Sequence, residues 1–188
     1  MTQPPIPRLL LHTAPLLPKL TMHMSLPRVD LVSPTPDQVP LIRGYLEQLA
    51  RDEGVPQARA TDDFLRQTLF SATPAAVAHL VQLRHAGDAT ANHCGLTVHS
   101  WKWGAFSGVL DMYVHVLVID PALRGRGVGK AVVAVLHDVA RARGASRLEL
   151  LTTAGNASAA AFYDRQGLLE AAHMVVRRKP CGDGAGRP

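Results

Sequence analysis

The chain is read as an α/β domain of the α+β kind: a mixed, mostly antiparallel central sheet flanked by helices. Three observations carry this reading. Strand-like apolar runs separated by turn-rich segments follow one another through the middle of the chain. The last of these enters a glycine-rich turn and then a valine-rich helical stretch. A further short apolar run follows at once. Runs joined by short turns pair antiparallel, whereas strand, helix, strand in succession implies a parallel pair joined by a right-handed crossover.

Taken in order, folding signals begin with a short strand at Arg28 to Val32. Thr35, Pro36 and Asp37 then supply an N-cap, a proline at the first helical position and an early acid. The helix that follows keeps Val39, Ile42, Leu46 and Leu49 at helical spacing to about Arg51, and Gly54 ends it. Thr61, Asp62 and Asp63 cap a second short helix through about Phe70. Ala76 to Leu83, Cys94 to Trp103 and Val109 to Ile119 form a meander, broken at His85 to Asn92 and Gly104 to Gly108. In the long helix after the glycine turn, Val128, Val132, Val135, Leu136 and Val139 share one side, and Gly144 stops it. Arg147 to Thr152 reads as a buried strand, Asn156 caps a last helix that Gly167 ends, and Leu168 to Arg178 reads as one or two returning strands.

Residues 28–179 are therefore taken as the one domain, preceded by a flexible extension at 1–27 and followed by a disordered tail at 180–188. Prolines at 4, 5, 7, 15 and 18 forbid a continuous amphipathic targeting helix in the extension, which is expected to lie upstream of a start at Met22 or Met24. With 47% apolar and 19% charged residues in 188, the composition is that of an ordinary globular protein. No apolar run approaches the roughly 18 residues of a membrane span, so no membrane partner is expected. Cys94 and Cys181 are too few and too distant for a disulfide scaffold, and nearby histidines lack a paired metal-ligand spacing. A reducing, cytoplasmic setting without a metal is expected. The net charge of +5 would attract anions, but scattered arginines and only 5% aromatics argue against nucleic acid as a partner.

The segment that carries chemistry is Arg124, Gly125, Arg126, Gly127, Val128, Gly129, Lys130, between a strand and a helix. The first N–H groups of a helix have no intrachain acceptor and sit at the positive end of its dipole, which suits a pyrophosphate. Glycines let the backbone approach phosphate oxygens closely, and Arg124, Arg126 and Lys130 add charge. Two other phosphate motifs fail by counting. Arg124 stands where a P-loop needs its first glycine and Ala131 where it needs Ser or Thr, and Lys130 stands where a dinucleotide fingerprint needs its third glycine.

Val118 to Gly129 resembles motif A of the GNAT superfamily of acetyl-CoA-dependent N-acetyltransferases, and Asn156 to Leu168 resembles its motif B, with Asn156, Ala159, Tyr163 and Gly167 at the expected steps. The resemblance is close over Met112 to Leu169, looser from Arg28 onward, with a loose likeness to the polyamine and thialysine branch; the positive charge argues against polyamines. It implies a GNAT-type sheet splayed at the cofactor-binding strand, with acetyl-CoA as co-substrate. The backbone of Leu117 to Ile119 would pair with the pantetheine arm as an added strand, and the amides from Arg124 to Lys130 would hold the pyrophosphate. Asn156 would lie near the cofactor, or serve only as an N-cap. Tyr163 would protonate the departing thiolate, the other reading being a core aromatic beside Phe162.

The resemblance also calls for a base on the strand before motif A. His115 falls where several relatives carry Glu, and an imidazole titrates in the right range; the other reading is a core histidine, with Asp111 and Glu149 as rival bases. Trp101, Trp103, Tyr45 and Phe64 either line a substrate pocket or fill the core, and are assigned to the core by default. The implied reaction moves an acetyl group to a primary amine of a small molecule or protein within a ternary complex, with no covalent enzyme intermediate. The rivals are a non-catalytic acyl-CoA sensor and a basic nucleic-acid-binding module. The acceptor, the acyl preference and homodimerisation are left open.

Overall fold

A computed structural model describes residues 27–84 and 92–179. Strand β1 (Arg28–Val32) leads through a 3-10 turn at Pro36–Gln38 into α1 (Val39–Asp52), and α2 (Asp62–Phe70) follows. Strands β2 (Val77–Arg84), β3 (His93–Gly104) and β4 (Val109–Ile119) form the meander. Helix α3 (Val128–Ala142), strand β5 (Leu148–Leu150) and helix α4 (Ala157–Asp164) complete the order. The strands lie in sequence order in one five-stranded sheet, with every pair antiparallel except β4 and β5, which are parallel across the α3 crossover. This is the mixed, mostly antiparallel architecture read from the sequence.

Local chemistry explains the boundaries. The Thr35 N–H donates to Oε1 of Gln38 at the entry to α1, and Thr61 Oγ1 accepts from the Phe64 N–H at the start of α2. At the end of α3, Gly144 takes φ of +76°, a value that lets the Ala145 N–H reach back to the Ala140 carbonyl at 2.9 Å.

Two apolar layers cover the sheet. On one face α1 and α2 bury Val39, Ile42, Tyr45, Leu65 and Leu69 against Leu80, Leu96, Val98 and Val118. On the other, α3 buries Val128, Ala131, Val132, Leu136 and Ala140 against Val29, Val81, Met112, Val114 and Ile119. By area, each fully buried Leu, Ile or Val contributes about 1.5–3 kcal/mol.

Three expectations are corrected. Leu168 to Arg178 forms no strand: the sheet stops at β5, whose three residues offer too short an edge to template a ladder, and β-rich residues alone do not make a strand without a neighbour. Trp103 and Phe64 are not core. Trp103 is 71% exposed at the hairpin end of β3, beyond the reach of either helical layer, and Phe64 is 57% exposed on the outer side of α2 while Leu65 and Leu69 turn inward. Tyr45 is buried as expected, and Trp101 packs at the edge of the α3 layer beneath the guanidinium of Arg143, 4.6 Å from the ring centre. The extension up to residue 26, the turn at 85–91, Cys181 and the tail at 180–188 lie outside the described residues.

Candidate active site

The site begins with an irregularity in β4. Val98 pairs with Val116 and His99 with Val114, so His115 is an extra residue without a partner on β3. Such a bulge re-aims a side chain and shifts the alternation of the strand. The packing records the shift: Met112 and Val114 join the α3 layer, whereas Val116 and Val118 join the layer under α1 and α2. His115 is thereby turned out of the core. Its Nε2 lies 2.8 Å from Ser100 Oγ, and the Tyr113 ring meets it edge-on at 4.8 Å.

Beyond the bulge the sheet splays. Strand β5 pairs with β4 only from Met112 to Val114, with Met112 N–H and Leu110 C=O bonded to the segment leading into β5. Following the alternation through the bulge, Leu117 and Ile119 direct their amide and carbonyl groups at the open edge. The Ile119 carbonyl is taken by Gln48 Nε2 at 3.0 Å and Arg124 Nε at 3.1 Å, which leaves Leu117 as the free position.

The glycine turn closes one end of this opening. Gly125 and Gly127 hold φ of +72° and +82°, values that favour glycine and that bend the chain into α3. The first bond of α3 runs from the Ala131 N–H to the Gly127 carbonyl at 3.0 Å, so the amides just before it have no intrahelical acceptor. Gly129 has a different reason: a Cβ there would lie 3.2 Å from Cζ of Phe162, so its absence lets α4 pack on the first turn of α3. Arg124 also departs from a simple phosphate ligand. Its guanidinium is engaged by both Asp52 oxygens, at 2.5 and 3.3 Å, besides Ile119, and so ties the end of α1 to the end of β4.

Helix α4 forms the far wall. Asn156 Oδ1 caps it by accepting from the Ala159 N–H at 3.0 Å, while Nδ2 donates to Glu53 Oε1 at 2.9 Å. Both readings of Asn156 are thus compatible, since the cap also faces the opening. Tyr163 is half-buried beside Phe162, ring centres 5.0 Å apart. Burial, and then the charge of Glu53, push its phenol pKa up, so it keeps its proton at neutral pH.

A cavity of about 740 Å³ joins these parts. Of the residues singled out from sequence, His115, Leu117, Ile119, Arg124, Gly125, Gly127, Gly129, Lys130, Asn156 and Tyr163 line it. Arg126 is exposed beside the turn and Val128 is buried beneath it. The rival bases lie elsewhere: Asp111 is fully buried with Oδ2 2.9 Å from Arg147 Nη2, and both oxygens of Glu149 lie 2.6 Å from Lys102 Nζ. Burial lowers the pKa of His115, so its imidazole is neutral at pH 7. Sequence reasoning missed Glu53, which lines the cavity from the end of α1; nothing marks it off from an ordinary helix-terminal acid.

Residues 91–168 match the model of the acetyltransferase (GNAT) family. Over that stretch, less than half of the chain, the protein is similar to the GNAT acetyltransferases. Over 54 residues, 29% of this chain, it is 44% identical to the mycothiol acetyltransferase of Beutenbergia cavernae, of which it spans only 18%. The fold resembles that of a possible acetyltransferase from Clostridium difficile 630, with a TM-score of 0.67 at 11% identity over 82% of this chain and 99% of that one. It also resembles an aminoglycoside N-acetyltransferase solved in complex with CoA, with a TM-score of 0.60 at 17% identity over 84% and 99% of the two chains. No helix among the described residues is long and apolar enough to cross a membrane, and no cluster of three or more metal-ligating side chains occurs among them.

Proposed function

We propose that this protein transfers the acetyl group of acetyl-CoA to a primary amine of a small molecule or of a protein, in a ternary complex. The observation that carries this reading is the convergence, on one cavity, of a free strand edge at Leu117, the unpaired amides of a glycine turn, and the side chains of His115 and Tyr163. The residues fit the co-substrate in kind. An amide-bearing arm can add to the open edge of β4, and a pyrophosphate suits the start of α3, where Lys130 lines the cavity and Arg126 stands just outside it.

In this reading His115 takes a proton from the acceptor ammonium, and the freed nitrogen attacks the thioester carbonyl carbon as the C–S bond breaks. Tyr163 gives its proton to the leaving sulfur, and the second amine proton restores the phenol. A lowered imidazole pKa and a raised phenol pKa put each group in the protonation state its role needs at pH 7.

The test is release of CoA thiol from acetyl-CoA against a panel of amines, with Tyr163→Phe beside the wild type. Turnover that falls at least about tenfold in the variant while CoA still binds supports the reading. Binding of CoA without turnover on any amine would mark a sensor instead.

A further inference from the structure

Glu53 is the one acid lining the cavity that the roles assigned so far leave without work. Its partner in the sequence, Asp52, is held by Arg124. Glu53 Oε1 accepts from Asn156 Nδ2 at 2.9 Å, which links the end of α1 to the start of α4. Its Oε2 is buried and has no hydrogen-bond partner among the described residues. A buried carboxylate oxygen without a donor is destabilising, a cost normally offset by a donor from protein, solvent or ligand. The direction of need is defined: this oxygen accepts and cannot donate.

The surroundings narrow what that donor is. The pyrophosphate turn offers only donors and cations and would hold the anionic part of a ligand, so the negative charge of Glu53 belongs beside a neutral or cationic part. Asn156 and Tyr163, both on α4, border the same cavity, as do Leu117 and Ile119 on the open edge of β4. A flexible chain running along that edge from the glycine turn toward His115 passes between α1 and α4, and amide N–H groups are the donors such a chain carries.

We propose that Glu53 is a cofactor-binding residue: Oε1 positions Asn156 and with it α4, and Oε2 accepts a hydrogen bond from an amide N–H of the pantetheine arm. This inference rests on the acetyl-CoA reading above and adds to it a side-chain contact to the arm. The contact reads the part of the co-substrate that lies between the nucleotide and the thioester.

The experiment is calorimetric titration of the folded full chain with CoA and with ADP, which has the pyrophosphate and lacks the arm, for wild type, Glu53→Gln and Glu53→Ala. Glu53→Gln can keep the acceptor toward Asn156 and puts an NH₂, which donates, where the accepting Oε2 stood. The expected result is CoA affinity reduced about tenfold or more in both variants, with ADP affinity unchanged. CoA affinity equal to or above that of wild type in Glu53→Gln overturns the proposal. So does an equal loss for CoA and ADP, which marks a general effect on the fold. If wild type binds no CoA, it is the acetyl-CoA reading itself that has failed.

Discussion

The Cβ that Gly129 lacks would stand 3.2 Å from Cζ and 3.3 Å from Cε2 of Phe162, so the approach of α4 to α3 is set by a missing side chain. Alanine at 129 gains up to about 1 kcal/mol of helix propensity but presses on the ring next to Tyr163. Gly129→Ala is therefore expected to leave the melting temperature within a few degrees of wild type while lowering acetyl transfer severalfold. Pairing it with Phe162→Leu should recover much of the loss. Independent, additive effects of the two substitutions on rate would show that the contact does not couple them.

Arg124 and Lys130 both line the cavity, yet their jobs are expected to separate on mutation. Arg124 is held by Asp52 and Ile119, a partly exposed tie of up to about 1 kcal/mol. Lys130→Ala and Arg126→Ala should weaken CoA binding and flatten its dependence on salt, whereas Asp52→Ala and Arg124→Ala should first lower the denaturation midpoint. Chemical denaturation and salt-dependent calorimetry on the four variants decide the matter.

His115 predicts a pH profile. Because burial lowers its pKa below 6.5, the imidazole stays in its basic form through neutrality, and the rate should fall only as pH drops below that value. His115→Ala should cost about 10²-fold or more in kcat/KM and remove that acid limb. Retention of the limb in the variant would assign it to another group.

His99 is 2% exposed, and burial, followed by the neighbouring His79, His115 and Arg143, lowers its pKa to about 4. The unfolded chain binds this proton from about pH 6.5 downward while the folded protein refuses it, so stability is lost as pH falls from 6.5 toward 4, by about 3 kcal/mol at the end of that window. His79, stacked on it at 5.4 Å and also lowered by burial, acts in the same direction. His99→Phe should flatten the pH dependence of the urea midpoint between pH 7 and pH 5.

Most of the architecture was legible because its signals are local. Thr61, Asn156, Gly144 and the valine spacing of α3 act within a few residues of themselves, and the elements they announce are present. The features that shape the cavity are not local. In Val114, His115, Val116 the flanking valines suit either face, so only the pairing with β3 reveals that one residue is extra. Glu53 acquires its place from α4, 103 positions away. The apolar residues Met174, Val175 and Val176 misled in the opposite way, carrying strand propensity where no strand stands beside them.

The unmatched residue in β4 also sets the phase of all that follows it. Pair it regularly with β3 and Val116 and Val118 would swap sides with Leu117 and Ile119, so that the apolar stretch presented its wrong face to both layers; excise it and the ladder runs on evenly, with every later residue on its present side. A one-codon deletion of His115 should therefore leave both layers packed while it removes the imidazole together with the kink that aims it. The length of this strand, counted in single residues, is as much a part of the chemistry as the side chains it bears.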